Sequence, residues 1–190
     1  VKANFSSIYA EDAWGGGSGP GSRGREAESY AALINSLAAQ NDWKSATDAG
    51  SGDGVVAGLL NFGRYCGVDV VDGVSAECRK AYASDRTKEF FVADFFADRE
   101  LLPPADVLLC RDVLHHWPTR HVADWVSWVK SEVASERWGA AVLTFDESPT
   151  HRVGECPIGG YRPLPVGPYP LSRLKVSYRL LKKAVVIIRR

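Results

Sequence analysis

The 190-residue chain has no methionine and opens on Val1. It reads as a domain excised from a longer polypeptide, or as a trimmed one. It has no net charge, because 23 Lys and Arg balance 23 Asp and Glu. No apolar run is long enough to cross a bilayer, which excludes a membrane-spanning helix. No signal-peptide pattern opens the sequence, and the expected location is cytoplasmic. Cysteine is scarce. Cys66, Cys78, Cys110 and Cys156 form no C-x-x-C pair, which argues against a zinc site. Cys66 and Cys110 fall inside apolar runs and read as buried free thiols, suited to a reducing compartment.

What is present is ordinary for one soluble domain with a sizeable core: 45% hydrophobic and 24% charged residues. The charge is unevenly spread. Residues 152–190 hold nine Lys and Arg against Glu155, while residues 1–151 hold 14 basic and 22 acidic residues. A basic tail can attract anionic partners, or it can be a solvated face around the last strands. It lacks the interleaving of aromatic and basic residues that binds single-stranded nucleic acid, so nucleic acid is not expected as a partner.

Along the chain, residues 1–22 form a Gly/Ser-rich arm, "FSSIYAEDAWGGGSGPGS", with Ser22 as a helix N-cap. A helix over 24–39 follows, with Tyr30, Leu33, Ile34 and Leu37 on one face. "WKSATDA" (43–49) is a first strand, and 54–62 a helix after the glycine loop. "RYCGVDVV" (64–71) is a second strand and 74–83 a second helix. Strands follow over 88–94 and over 105–114, the latter apolar enough to be buried on both faces of a parallel sheet. Trp117-Pro118-Thr119 opens a helix carrying Val122, Trp125, Val126, Val129 and Val133. A fifth strand spans 140–147, and a closing hairpin turns at Lys182-Lys183. Strands alternating with helices imply a parallel α/β sheet. The Gly/Pro-rich stretch 148–172 is too long for a plain connector and reads as functional or a lid.

Ligands of such a sheet sit at the carboxyl ends of its strands. There the chain reads "ATDAGSGDG" (46–54). Gly50, Gly52 and Gly54 let the backbone turn sharply and approach a ligand. The spacing is not that of a nicotinamide site, since the third glycine comes one place early for G-x-G-x-x-G. Asp48, within the strand end, suits an ammonium and not a pyrophosphate. Asp69, 17 residues beyond Gly52, is placed to hold two ribose hydroxyls. Asp94 ends the third strand, where it can accept from an adenine amine with Phe95 beside the ring. Taken singly, Asp48 could also cap a turn and Asp69 could be a surface acid.

"TDAGSGDG", "GVDVV", "ADFF" and "DVLLCRDVLHHW", in this order over residues 40–147, resemble the motifs of S-adenosylmethionine-dependent methyltransferases with the Rossmann-like fold. The resemblance implies a doubly wound, seven-stranded, mostly parallel sheet with an antiparallel last strand. It implies S-adenosylmethionine as cofactor and S-adenosylhomocysteine as product. Cofactor contacts would come from Asp48, Gly50, Ser51, Gly52, Asp69, Val70, Asp94, Phe95 and Arg111.

The acceptor end follows "RDVLHHW". His115 and His116 stand at the carboxyl edge, where a base for a hydroxyl acceptor is needed. His116 is slightly favoured over His115, with Asp112 beside them; either ring could instead pack or cap the next helix. An Asn/Asp-Pro-Pro-aromatic motif, common in N-methyltransferases, is absent from this place. Asp112, Asp146, Glu147 and His151 have the chemistry to hold Mg²⁺, but they show no fixed ligand spacing and no metal is assigned. The opening arm reads as a lid, with Trp14 as anchor and Ser18 and Gly19 contacting the cofactor, or else as a linker. In "IGGYRPL", Tyr161 can stack on a sugar or other ring and Arg162 can hold an anionic or polyhydroxyl group, unless this is a surface turn. Trp117 and Asp146 are assigned to the acceptor as well.

"WGGGSGPGS" and "GGYRPL" together resemble small methyltransferases of bacteria and large DNA viruses that accompany glycan-building enzymes. That resemblance implies O-methylation of a sugar hydroxyl, such as that of rhamnose or another deoxyhexose. It also implies fused or associated glycosyltransferase domains as partners, and host cytoplasm as the location if the source is viral. A small metabolite, protein or RNA acceptor, and a non-catalytic cofactor-binding module, are the competing readings.

Overall fold

Apolar runs at the centre of the chain dictate the centre of the fold. In the computed structural model, which describes residues 1–146, 154–167, 171 and 174–190, seven strands form one sheet. They are β1 (Ser45–Ala49), β2 (Arg64–Asp69), β3 (Lys88–Val92), β4 (Ala105–Cys110), β5 (Trp138–Asp146), β6 (Tyr178–Leu180) and β7 (Lys183–Ile188). Their order is β3-β2-β1-β4-β5-β7-β6. β1 to β5 pair in parallel, and β7 runs antiparallel to both β5 and β6. This is the doubly wound α/β sheet expected from the sequence. Its order reverses between β1 and β4, the switch point where such sheets open a crevice for ligands.

Alternation along β4 shows why both faces are dry. Val107 and Leu109 join a core with Ile34, Leu37 and Tyr65. Leu108 and Cys110 join the opposite one with Trp125, Val129 and Trp138. Among the described residues four α-helices accompany the sheet: α1 (Lys2–Ala10), α2 (Gly24–Asn41), α3 (Asp72–Ala81) and α4 (Thr119–Ala134). α2 buries Ala27, Tyr30, Ala31, Ile34, Leu37 and Ala38 at helical spacing and ends on Asp42 in the left-handed conformation. α4 buries Val122, Trp125, Val126, Val129 and Val133. Trp125 is fully buried. Trp125→Ala is therefore expected to cost about 3–5 kcal/mol in denaturant unfolding.

Several boundaries differ from expectation. The arm is not wholly irregular, since α1 occupies Lys2–Ala10. Its single buried residue, Phe5, leaves almost no periodic signal in the sequence. Ser22 caps nothing: the N-cap of α2 is Arg23, and the Ser22 hydroxyl accepts from Arg111 at 3.3 Å. Residues 54–62 hold only a 3-10 turn, Ala57–Leu59. Gly54 (φ 76°) and Gly58 weaken a helix there by about 1 kcal/mol each. The hairpin turns at Leu181-Lys182 rather than Lys182-Lys183, which puts Lys183 inside β7. All four cysteines are buried free thiols. No helix among the described residues is long and apolar enough to cross a membrane.

Candidate active site

The carboxyl ends of β1, β2, β4 and β5 meet under α1 and the glycine-rich arm, around a cavity of about 460 Å³. Eighteen of the candidate site residues named from the sequence line it. They are Trp14, Ser18, Gly19, Asp48, Gly50, Ser51, Gly52, Asp69, Val70, Asp94, Phe95, Arg111, Asp112, His115, His116, Trp117, Asp146 and Tyr161.

At one end is the glycine loop. Gly50 (φ 82°) and Gly52 (φ 57°) lie in the left-handed region, and a Cβ on Gly52 would collide with the Ser18 hydroxyl. The loop is held from below by Asp69, whose oxygens accept from the amides of Gly52 and Val71, each at 3.0 Å. Burial raises the Asp69 carboxyl, against those amides. Asp48 is buried deeper. One oxygen accepts from the Tyr65 hydroxyl at 2.6 Å; the other, Oδ1, has no hydrogen-bond partner among the described residues. Burial pushes its pKa up to about 6. Asp94 lies beyond β3 and accepts from the Ala97 amide at 3.3 Å. Phe95 packs into the core against Trp125 and Trp117, so the less buried Phe96, which sequence reasoning passed over, shares that wall of the cavity. Arg111 lies over the Tyr30 ring and donates to the Gly21 carbonyl, tying the arm to the end of β4.

The arm is fastened by Asp53, which sequence reasoning missed as a site residue. Its carboxylate accepts from the Ser18 amide at 2.8 Å and from Arg23 at 2.5 Å. Ser18 Oγ accepts from the Asp53 amide at 2.9 Å and bonds the Tyr9 hydroxyl at 2.7 Å. Trp14 stacks on His116, with ring centroids 4.8 Å apart.

At the other end the two histidines meet. His116 Nδ1 lies 2.6 Å from the Gly160 carbonyl, which can only accept, so Nδ1 carries the proton. His115 Nδ1 faces Asp146 Oδ2 at 3.5 Å, an ion-pair distance. The two Nε2 atoms lie 3.0 Å apart. With both outer nitrogens turned toward acceptors, the inner pair converges on one proton. Burial, and then the neighbouring His115, pull the His116 pKa down to about 4.

Asp112 and Asp146 are bridged by an ammonium. Lys183 Nζ lies 3.1 Å from Asp112 and 2.9 Å from Asp146. Burial raises both carboxyls, but the surrounding cations outweigh it and leave both lowered. The carboxylate pair considered for Mg²⁺ thus already holds a cation of the chain. No cluster of three His, Cys, Asp or Glu that could hold a metal occurs among the described residues. Glu147 and His151 lie outside the described residues.

Of the acceptor residues, Arg162 lies off the cavity and Trp117 is a buried part of its wall. Arg162 does not line the cavity; its buried guanidinium donates to the Trp117 carbonyl at 2.7 Å and fastens the 154–167 segment. Trp117 touches the cavity but is only 2% exposed, packed against Phe95, Phe96 and Trp125. Tyr161 is exposed, with its ring 5.1 Å from that of His115.

Residues 47–132, from the glycine loop through both histidines, match a family model described as a methyltransferase domain. No curated protein sequence matches the chain. Among solved structures, it resembles the methyltransferase domain of bacterial CtHen1, with 17% identity and TM-score 0.51 over 63% of this chain and 66% of that one. It resembles an O-methyltransferase family protein from Burkholderia thailandensis, with 16% identity and TM-score 0.62 over 85% of this chain and 55% of that one. It also resembles the magnesium protoporphyrin IX methyltransferase of Synechocystis PCC 6803, solved with bound SAM, with 16% identity and TM-score 0.61 over 100% and 97%. The chain spans less than two thirds of the first two. At these identities the likeness carries the fold, a seven-stranded Rossmann-like methyltransferase sheet.

Proposed function

We propose that this chain, an S-adenosylmethionine-dependent methyltransferase, methylates a hydroxyl oxygen, and that the hydroxyl belongs to a sugar of a glycan. The cavity fits the cofactor. Asp48 Oδ1 is a buried oxygen without a partner among the described residues, suited to an ammonium. Gly50 and Gly52 permit close backbone approach, and Asp69 and Asp94 would take the ribose hydroxyls and the adenine amine. The cofactor supplies an activated methyl group; the chain must supply alignment and a proton acceptor.

The observation that carries the reading is the converging Nε2 pair of His115 and His116, 3.0 Å apart. His116 keeps its Nδ1 proton on the Gly160 carbonyl and so turns a bare Nε2 toward His115 Nε2. That contact lets a proton taken up by the pair be shared between the two rings. An acceptor hydroxyl that gains a methyl must lose a proton, and this pair is built to take it. His115 is the better placed ring, because Asp146 Oδ2 stands 3.5 Å from its Nδ1 while burial holds the His116 pKa down. The two rings act as one base with His115 as its principal member, where the sequence alone slightly favours His116.

The sugar reading is supported by the resemblance in "WGGGSGPGS" and "GGYRPL". It is also supported by a wall that mixes rings (Trp14, Tyr161) with polar groups (Asp146, Lys182, Lys183). Its test is S-adenosylhomocysteine release with a panel of deoxyhexosides and, separately, planar aromatic alcohols. Release with the deoxyhexosides is expected; release only with the aromatic alcohols would overturn the sugar assignment.

The Asp48 contact also sets a pH dependence. Its folded pKa of about 6 stands above its ordinary 3.8. The stability it contributes is present below 3.8 and is lost as pH rises through about 6. An ammonium favours the ionised form. S-adenosylmethionine should therefore bind about tenfold more tightly at about pH 7 than at about pH 5. Asp48→Asn should flatten that dependence in calorimetric titrations, and a flat wild-type profile would contradict the contact.

A further inference from the structure

We infer that Lys183 is a positioning residue for the base, holding Asp146 in line with His115 by bridging it to Asp112. The inference rests on the proton-accepting role given to the histidines above. Lys183 comes from β7, 37 residues after Asp146, yet the antiparallel register sets the two directly opposite each other. Its ammonium donates to Asp146 Oδ1 at 2.9 Å, while the other oxygen of the same carboxylate faces His115 Nδ1 at 3.5 Å. Asp146 Oδ2 has no hydrogen-bond partner among the described residues, so its aim depends on what holds Oδ1.

The far end of the bridge is equally fixed. Asp112 sits in the left-handed region (φ 56°), unusual for a residue with a side chain. It is held there by Thr144. The Asp112 amide donates to Thr144 Oγ1 at 2.9 Å, and that hydroxyl donates back to Asp112 Oδ1 at 3.1 Å. Arg111 adds an ion pair at 3.4 Å. The ammonium is therefore anchored on a carboxylate held by Thr144 and carries that anchorage across to Asp146. Without it, two part-buried carboxylates would face each other, and one would turn away or take up a proton.

Two readouts test this. In nitrogen-15 spectra of the imidazoles, Lys183→Met should shift the His115 ring signals and leave those of His121 in place. Lys183→Arg, which keeps the charge, should restore most of the wild-type pattern. Unchanged His115 signals in Lys183→Met would overturn the proposal. This readout needs no acceptor, so it stands even if wild-type protein turns over no sugar, the result that would defeat the acceptor reading. With a working acceptor, Lys183→Met should lower kcat about 100-fold with the KM for S-adenosylmethionine unchanged. A rise in that KM at constant kcat would place Lys183 in cofactor binding instead. Retained binding of S-adenosylmethionine shows that each variant is folded.

Discussion

His115→Ala should lower turnover by about 100- to 10,000-fold while S-adenosylmethionine binds as before. The size follows from what is removed. The alanine leaves His116 with a bare Nε2 and no partner to share a proton, and Asp146 with no ring to stabilise. His116 alone is a poor base, since its pKa is drawn down to about 4. His115 contacts Asp146, His116 and Tyr161, and none of these belongs to the glycine loop. Single-turnover kinetics with saturating cofactor separate the two effects. Full turnover in the variant would mean that the acceptor arrives already deprotonated, or that another group takes the proton.

Asp69→Ala should weaken S-adenosylmethionine binding by about 100-fold or more. Hydrogen bonds to a charged group contribute about 1.5–3 kcal/mol each, and two ribose hydroxyls are at stake. The same carboxylate also accepts from the amides of Gly52 and Val71. The alanine therefore leaves two amides without their acceptor and should cost about 2 kcal/mol of folding stability. Asp69→Asn keeps one acceptor oxygen and should fall between. Calorimetry and thermal unfolding of the two variants read these quantities apart. Lost stability with unchanged affinity would make Asp69 a loop anchor only.

The parallel strands were legible because they alternate with helical stretches and because β2, β3 and β4 carry apolar runs, and topology then brings their carboxyl ends together. That is why residues as distant as Trp14, Asp48, Asp94 and Tyr161 share one cavity. Helix α1 was not legible, since a helix burying only Phe5 has no stripe to read. The 54–62 segment misled because its apolar residues do reach the core, in a 3-10 turn flanked by glycine conformations. Arg162 reads as an acceptor-binding group in the sequence, whereas the 154–167 segment folds inward and buries it. Lys183 was invisible as a site residue. Its meaning depends on the β5–β7 register, and a twin lysine between two apolar runs looks like a turn. Asp53 was hidden in the same way, because its partners Ser18 and Arg23 lie 35 and 30 residues upstream.

The most direct test is methyl transfer itself. Wild-type protein is incubated with S-adenosylmethionine carrying a labelled methyl group and with a methyl deoxyhexoside. The labelled carbon is then located by NMR. Label on a sugar oxygen in the wild type, absent with His115→Ala, is the predicted result. Label on nitrogen or carbon of any acceptor, or equal transfer by the variant, would contradict the account.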